Sequence, residues 1–267
     1  MTRARDSLEA DDAGVSEVVG QLLIFTMVII SVSVVYSAGL PILSGSQDAI
    51  QFEATRQGFL VLQSDVNKAL YDQSPVKTTL LQMGGGSLSL GTGGTLGVLA
   101  INASGGAVYS TSLNLTHVEY LQGDRRIAFS NGGVLEMHPD GGVVRSPPKL
   151  FVYEDVKNGE VVLAASLSRL RNATNTTTGV SGKGAVRVQA AYNSTNVTLF
   201  ESGSGRVHLN FSAPVYYPAW RNFFNDMQRK LNNTAAVVIA GVDEEINVTV
   251  YYDKLQLTEH VVDLRLS

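Results

Sequence analysis

Cysteine is absent from all 267 residues, so the chain carries neither a disulfide framework nor a thiolate-bound metal. Charge is sparse as well. Only 16% of residues are Asp, Glu, Lys or Arg, and 24 acids against 20 bases leave a net charge of −4. That balance lacks the clustered basic excess of a nucleic-acid-binding surface, so no nucleic-acid partner is expected. The four histidines, His117, His138, His208 and His260, stand singly along strand-like runs, and no pair has metal-ligand spacing. Catalytic motifs are missing too. Gly203-Ser204-Gly205 lacks the wider glycine spacing of a hydrolase elbow. Gly182-Lys183-Gly184 lacks the earlier glycine and the following hydroxyl of a phosphate loop. Both are expected to be turns. Asp243-Glu244-Glu245 offers too few oxygens for a hard cation and is expected to be a solvated turn. These absences predict a protein that is not an enzyme, with no cofactor and no metal.

What the chain does have is one uninterrupted apolar stretch over residues 18–40, whose polar side chains are only Gln21, Thr26, Ser31, Ser33 and Ser37. About 20 apolar residues in a helix span the roughly 30 Å hydrocarbon core of a bilayer. A cleaved secretory signal has an apolar region of only about 7–15 residues, so this one is too long for that. A helix that is apolar all round is otherwise buried in a large domain, a poor fit to a segment this near a terminus. The stretch is therefore expected to cross a membrane. Arg3 and Arg5 precede it, whereas the first basic residue after it is Arg56, which places the N-terminus in the cytoplasm and the rest outside.

Nine of the fifteen asparagines begin Asn-x-Ser/Thr triplets: Asn102, Asn114, Asn172, Asn175, Asn193, Asn196, Asn210, Asn232 and Asn247. All lie on the side expected to be outside, where such triplets are glycan acceptors. The alternative is that a Thr/Asn-rich surface with alternating strands writes them incidentally.

The remaining pattern predicts an α+β protein. Residues 1–14 form a polar leader, 15–43 a hydrophobic helix, 44–75 an amphipathic helix, and 76–267 a β-rich head, sandwich-like or a rolled sheet, with one short aromatic helix. Gly39-Leu40-Pro41 is expected to kink or interrupt the first helix, and Ser44-Gly45-Ser46 to make a flexible junction. Phe52, Phe59, Leu62, Val66 and Leu70 then share one helical face, either packed on the head or also serving as a stalk that meets neighbouring subunits. The opposite face carries Glu53, Arg56, Gln57, Gln63, Asp65 and Lys68. Beyond Pro75, short alternating runs are punctuated by glycine-rich stretches such as 84–86 and 91–94, the pattern of hairpins. Residues 172–184 are expected to be an exposed loop. Residues 218–231 begin with Pro and place Trp220, Phe223, Phe224, Met227 and Leu231 on one face, as in a helix packed on a sheet.

The run Asp12-Ala13-Gly14-Val15-Ser16-Glu17-Val18-Val19-Gly20-Gln21-Leu22-Leu23 resembles the N-terminal region of archaeal type IV pilin-like proteins, a family that includes archaellins. The resemblance covers residues 10–43. It implies a prepilin-type leader cut by a membrane-embedded prepilin peptidase, with Gly14 before the scissile bond and Val15 as the new N-terminus. It further implies that the freed helix forms a filament core with other pilin-like subunits. Asp12 stands where the leader is usually basic, and Glu17 is the third mature residue, whereas bacterial pilins carry their acid at the fifth. With Gly14 cut, Glu17 is placed to pair with the amine of Val15 in a neighbouring subunit, while Gly20 and Gln21 sit on the helix-packing surface. The small residues Gly20, Ser31, Ser33, Ser37, Ala38 and Gly39 permit close helix approach. The resemblance thus implies a pilin-like envelope protein, membrane-inserted and assembled into an adhesive surface filament. The alternative expectation is a permanently anchored single-pass protein whose head binds a partner without polymerising.

Overall fold

The computed structural model describes residues 3–71, 76–173, 177–231, 234–241 and 244–267, giving the backbone alone for 3–17, 196–198, 201 and 234. The fold is α+β, a long N-terminal helix followed by a β-rich head with one further helix. Contacts divide it into two units, Met1–Ile50 and Gln51–Ser267. The boundary falls inside helix α1 (Arg3–Tyr71), so residues 51–71 belong with the head. The expected interruption at Gly39-Leu40-Pro41 and the junction at Ser44-Gly45-Ser46 do not occur, because the helix continues through both. Pro41 removes only one donor, and Ser44 and Ser46 turn their hydroxyls onto the carbonyls of Pro41 and Ile42 at 3.0 and 2.9 Å.

In the second unit, β1 (Lys77–Gln82), β2 (Ser87–Ile101), β3 (Ala107–Gln122), β4 (Arg125–Ser130), β5 (Gly133–His138), β6 (Gly141–Ser146), β7 (Leu150–Glu154), β8 (Val161–Asn172) and β9 (Gly179–Ser181) come first. β10 (Ala185–Ser212), α2 (Tyr217–Arg229), β11 (Val237–Ala240) and β12 (Glu245–Leu266) follow. All strands join one sheet in the order β6-β5-β4-β3-β2-β10-β12-β8-β7, with β1, β11 and β9 pairing β10, β12 and β2 off that path. Among the described residues only β12 and β8 pair in parallel. The two ends of this order, β6 and β7, are chain neighbours joined through Pro147-Pro148-Lys149. Four residue steps reach at most about 14 Å, so the sheet must roll until its ends approach. Helix α2 lies along that seam, with Asn222 donating from Nδ2 to the Gly142 carbonyl of edge strand β6 at 2.9 Å.

Two glycine-rich stretches expected to be turns lie inside strands. Residues 91–94 sit within β2 and 203–205 within β10, each at a register shift, Thr92/Thr95 against β3 and Ser202/Gly205 against β12. Extra residues are absorbed there as bulges, which bend a long strand without ending it. Gly182-Lys183-Gly184 does connect two strands, β9 and β10. Residues 177–184 also depart from a plain loop, since β9 pairs with β2.

Two hydrophobic clusters hold the head. One gathers Phe211, Trp220, Phe224 and Leu257 around α2; the other gathers Phe52, Phe59, Leu62, Val66 and Leu70 of α1 with Leu81, Tyr120, Phe129 and Leu264. β12 contributes Leu255 and Leu257 to the first cluster but Val262, Leu264 and Leu266 to the second, while its register with β8 is unbroken. Alternate residues point to opposite faces, so the two helices cover opposite faces at opposite ends of the same strands. Each large apolar side chain of the α1 stripe contributes roughly 2 kcal/mol by burial.

Candidate functional site

The first unit presents the chain's plainest chemical surface. The large apolar side chains of residues 18–43 are all exposed, from 46% at Leu40 to 72% at Val35. Soluble domains rarely leave such a surface uncovered, and the helix is long and apolar enough to cross a membrane. Its hydroxyls need no water. Thr26, Ser31 and Ser33 donate to the carbonyls of Leu22, Met27 and Ile29 at 2.7, 2.8 and 2.7 Å, and Ser37 donates to Val34 at 3.1 Å. A spanning segment must satisfy its polar groups internally in this way. Gly20 and Gln21 are exposed on the same helix. Gly14, Val15 and Glu17 lie in its backbone, and the placement of their side chains is outside the described residues.

The acceptor asparagines separate by local structure. Asn175 and Asn232 lie outside the described residues, and Asn196 is described by its backbone in β10. Asn114, Asn172, Asn193, Asn210 and Asn247 lie in strands. Period-two alternation puts the Asn and the hydroxyl two residues later on one face, so an outward polar strand writes the triplet by its pleat. Several of these amides are already engaged: Asn193 Nδ2 donates to Asp263 at 2.8 Å, and Asn210 Nδ2 donates to Asn247 Oδ1 at 2.6 Å. Asn102 differs. It opens the turn between β2 and β3, and its Oδ1 accepts from the Ser104 hydroxyl and the Gly106 N–H, both at 2.8 Å. Residues 103–106 around it are exposed.

The titratable groups of the head form buried charge centres that the sequence pattern did not reveal. Glu136 of β5 is fully buried, and its carboxylate accepts from Arg56 Nε and Nη2 at 2.8 and 2.7 Å and from Arg145 Nε at 2.6 Å, with His138 Nε2 lying 2.6 Å from Oε1. Burial alone would raise its pKa, but the hydrogen bonds from Arg56 and Arg145 outweigh it, and the carboxyl sits below its ordinary value. Glu119 accepts from the buried Tyr216 hydroxyl at 2.7 Å, which together with burial holds that phenol well above its usual range. Glu259 accepts from Tyr109 at 3.0 Å and faces Arg169 at 3.0 Å, with the Tyr109 phenol pushed up to about 12 by burial and by this carboxylate. The histidines are spread among these centres. His117 stacks edge-on to Tyr216, His208 meets Thr249 at 2.9 Å, and His260 meets Thr195 at 2.9 Å. Among the described residues no group of three or more His, Asp or Glu side chains is arranged to hold a metal.

Three residues expected on the solvated face of the amphipathic helix reach the sheet instead. Arg56 enters the Glu136 centre, Gln63 donates to the Gly132 carbonyl at 2.7 Å, and Asp65 accepts from Thr79 at 2.7 Å. Hydrophobic spacing marks which face is apolar but not which flanking polar groups meet a partner across the sheet.

Among known proteins, the model of a family of unknown function, DUF7289, matches residues 14–266. The polar leader before Gly14 falls outside the matched span. No curated protein matches the chain. The crystal structure of the ywiB protein from Bacillus subtilis is similar at 8% identity over 68% of this chain and 97% of that one, with a TM-score of 0.16, too low to inform fold or function.

Proposed function

We propose that this chain, which belongs to the DUF7289 family of unknown function, is a pilin-like cell-envelope protein inserted in the membrane through its N-terminal helix. The exposed apolar surface of residues 18–43 carries the reading, because one surface of this kind serves both as a membrane span and as a packing face against copies of itself. The leader is cytoplasmic and the head extracellular, as the placement of Arg3, Arg5 and Arg56 favours. A prepilin peptidase cuts the bond between Gly14 and Val15, as the resemblance of the leader implies. Glu17 then pairs with a neighbour's freed amine, and Gly20 and Gln21 lie in the assembly surface. Glycans occupy acceptor triplets of the head, and Asn102, with its hydroxyl-braced turn, is the described acceptor best presented to a transferase acting on the folded protein.

Intact-mass measurement on protein from its native membrane tests processing: loss of residues 1–14 is expected, and their retention would overturn it. Sheared cell-surface material should contain this chain in filaments. Recovery solely as a detergent-soluble monomer would instead establish a permanent anchor, a reading favoured by the exposed aromatic side chains of the head.

A further inference from the structure

Five aromatic side chains are exposed among the described residues of the head: Tyr71, Phe151, Tyr153, Phe200 and Tyr251. Two of them line one groove: Phe151 projects from β7, and Tyr71 stands over the neighbouring strand β8, its hydroxyl donating to Ser166 Oγ at 2.8 Å. Between Tyr71 and Phe151 runs a groove of about 310 Å³. That is near the lower end of the roughly 300–1,000 Å³ of ligand pockets.

The register builds this groove. Phe151, Ala164 and Gln256 lie side by side across β7, β8 and β12, and Ser166 and Thr258 form the next row. The small Ala164 leaves a shallow floor, and Gln256, Thr258 and Ser166 offer amide and hydroxyl groups along it. The walls are held in place before any ligand arrives. Tyr71 is fixed by Ser166 and by an edge-on contact with His260 at 5.4 Å, and His260 is itself tied to Thr195. Lys149 sits at the rim with its ammonium 6.0 Å from the Phe151 ring centre. Among the described residues it has no carboxylate in ion-pair range, and no acidic side chain lines the groove.

We infer that this groove on β7, β8 and β12 binds an acidic saccharide chain, the aromatic walls stacking on sugar rings and Lys149 pairing with a sugar carboxylate. Aromatic faces take up the C–H faces of sugar rings, the polar floor matches their hydroxyls, and the rim ammonium of Lys149 favours a carboxylate over a neutral chain. Pre-set walls lose little freedom on binding, which suits a weak, repeated contact with a polymer. The inference takes from the proposed function only that the head is extracellular. A binding assay is indifferent to cleavage and topology, so the two readings fail separately.

The test is calorimetric titration of the full chain in detergent micelles with oligogalacturonides of three to five sugars. Malto-oligosaccharides of equal length and an oligoglutamate serve as comparisons. Binding of the oligogalacturonide, weakened about tenfold by Phe151→Ala and severalfold by Lys149→Gln, is expected, since a stacked ring and a surface ion pair are each worth an effect of that order. Phe151 is exposed and Lys149 is half-buried at the rim, and unchanged thermal melting will confirm that the variants fold. Lys149→Gln should leave any malto-oligosaccharide binding unaltered. The inference is overturned if no oligogalacturonide binds, if the neutral chain binds as tightly, if oligoglutamate binds equally well, or if neither substitution weakens binding.

Discussion

At the scale of single residues, Glu136 concentrates more consequence than any other side chain in the head. Its carboxylate is buried between the guanidinium groups of Arg56 and Arg145, so neutralising it strands two cations that were placed for it. Glu136→Gln should cost about 3 kcal/mol at neutral pH, read as a lower thermal midpoint in detergent. Its folded pKa is below the unfolded one, so its contribution is present above roughly pH 4.3 and is lost as pH falls through the folded value. Histidine adds an earlier step. His117 and His260 are held below their ordinary value, chiefly by burial, and in His117 also by Arg126 against an opposing pull from Glu119. The unfolded chain therefore takes up protons first, and stability should begin to fall as pH drops below about 6.5. Melting curves from pH 8 to 3 should show both steps. The pair His117→Gln with His260→Gln should flatten the first, and Glu136→Gln the second. An unaltered profile in these variants would remove them as its cause. None of this was legible in the sequence, because isolated His and Glu codes do not say which strands will bring cations beside them.

At the scale of elements, the parts set by a local period were legible and the parts set by pairing were not. The stripe Phe52, Phe59, Leu62, Val66 and Leu70 and the aromatic face of α2 follow from helical spacing alone, and both are buried. Strand lengths were not legible, because a bulge at Gly203–Gly205 and a turn use the same residues, and only a partner strand decides between them. The groove beside Phe151 was hidden for a similar reason: its walls come from α1 and β7, far apart in the chain. Phe59→Ala should cost about 3–5 kcal/mol, since Phe59 is fully buried where α1 meets the sheet. At the β4–β5 hairpin, Asn131 and Gly132 adopt φ of 45° and 77°, as a tight two-residue turn requires. A Cβ at Gly132 meets only ordinary contacts, so Gly132→Ala isolates the conformational cost, expected at about 1 kcal/mol in chemical denaturation.

At the scale of the whole molecule, composition pointed to an α+β chain with a membrane-length helix, and that architecture is the one observed. The sequence pattern set the start of the head after residue 75. Contacts set it at Gln51, because a helix face and the sheet it covers form one core whatever the loop between them. A chain of residues 51–267 should accordingly melt cooperatively without detergent. A chain of residues 76–267 should not, because it lacks the α1 side of its second cluster and exposes Leu81, Tyr120 and Phe129. Circular dichroism melts of the two chains check this, and equal cooperativity would contradict the boundary.

Helix α1 is joined to the sheet by an apolar stripe, one guanidinium pair, and side-chain bonds that link Thr55, Gln63, Asp65 and Tyr71 to Gln82, Gly132, Thr79 and Ser166. Among the described residues no ladder of main-chain bonds ties it down. β12, which ends at Leu266, is locked between β10 and β8 by such ladders. Tension applied between the helix and the C-terminus therefore loads a weak joint and a strong one in series, and the helix acts as a mechanical fuse. Single-molecule pulling should register a first extension step the size of residues 51–71 before the sheet yields.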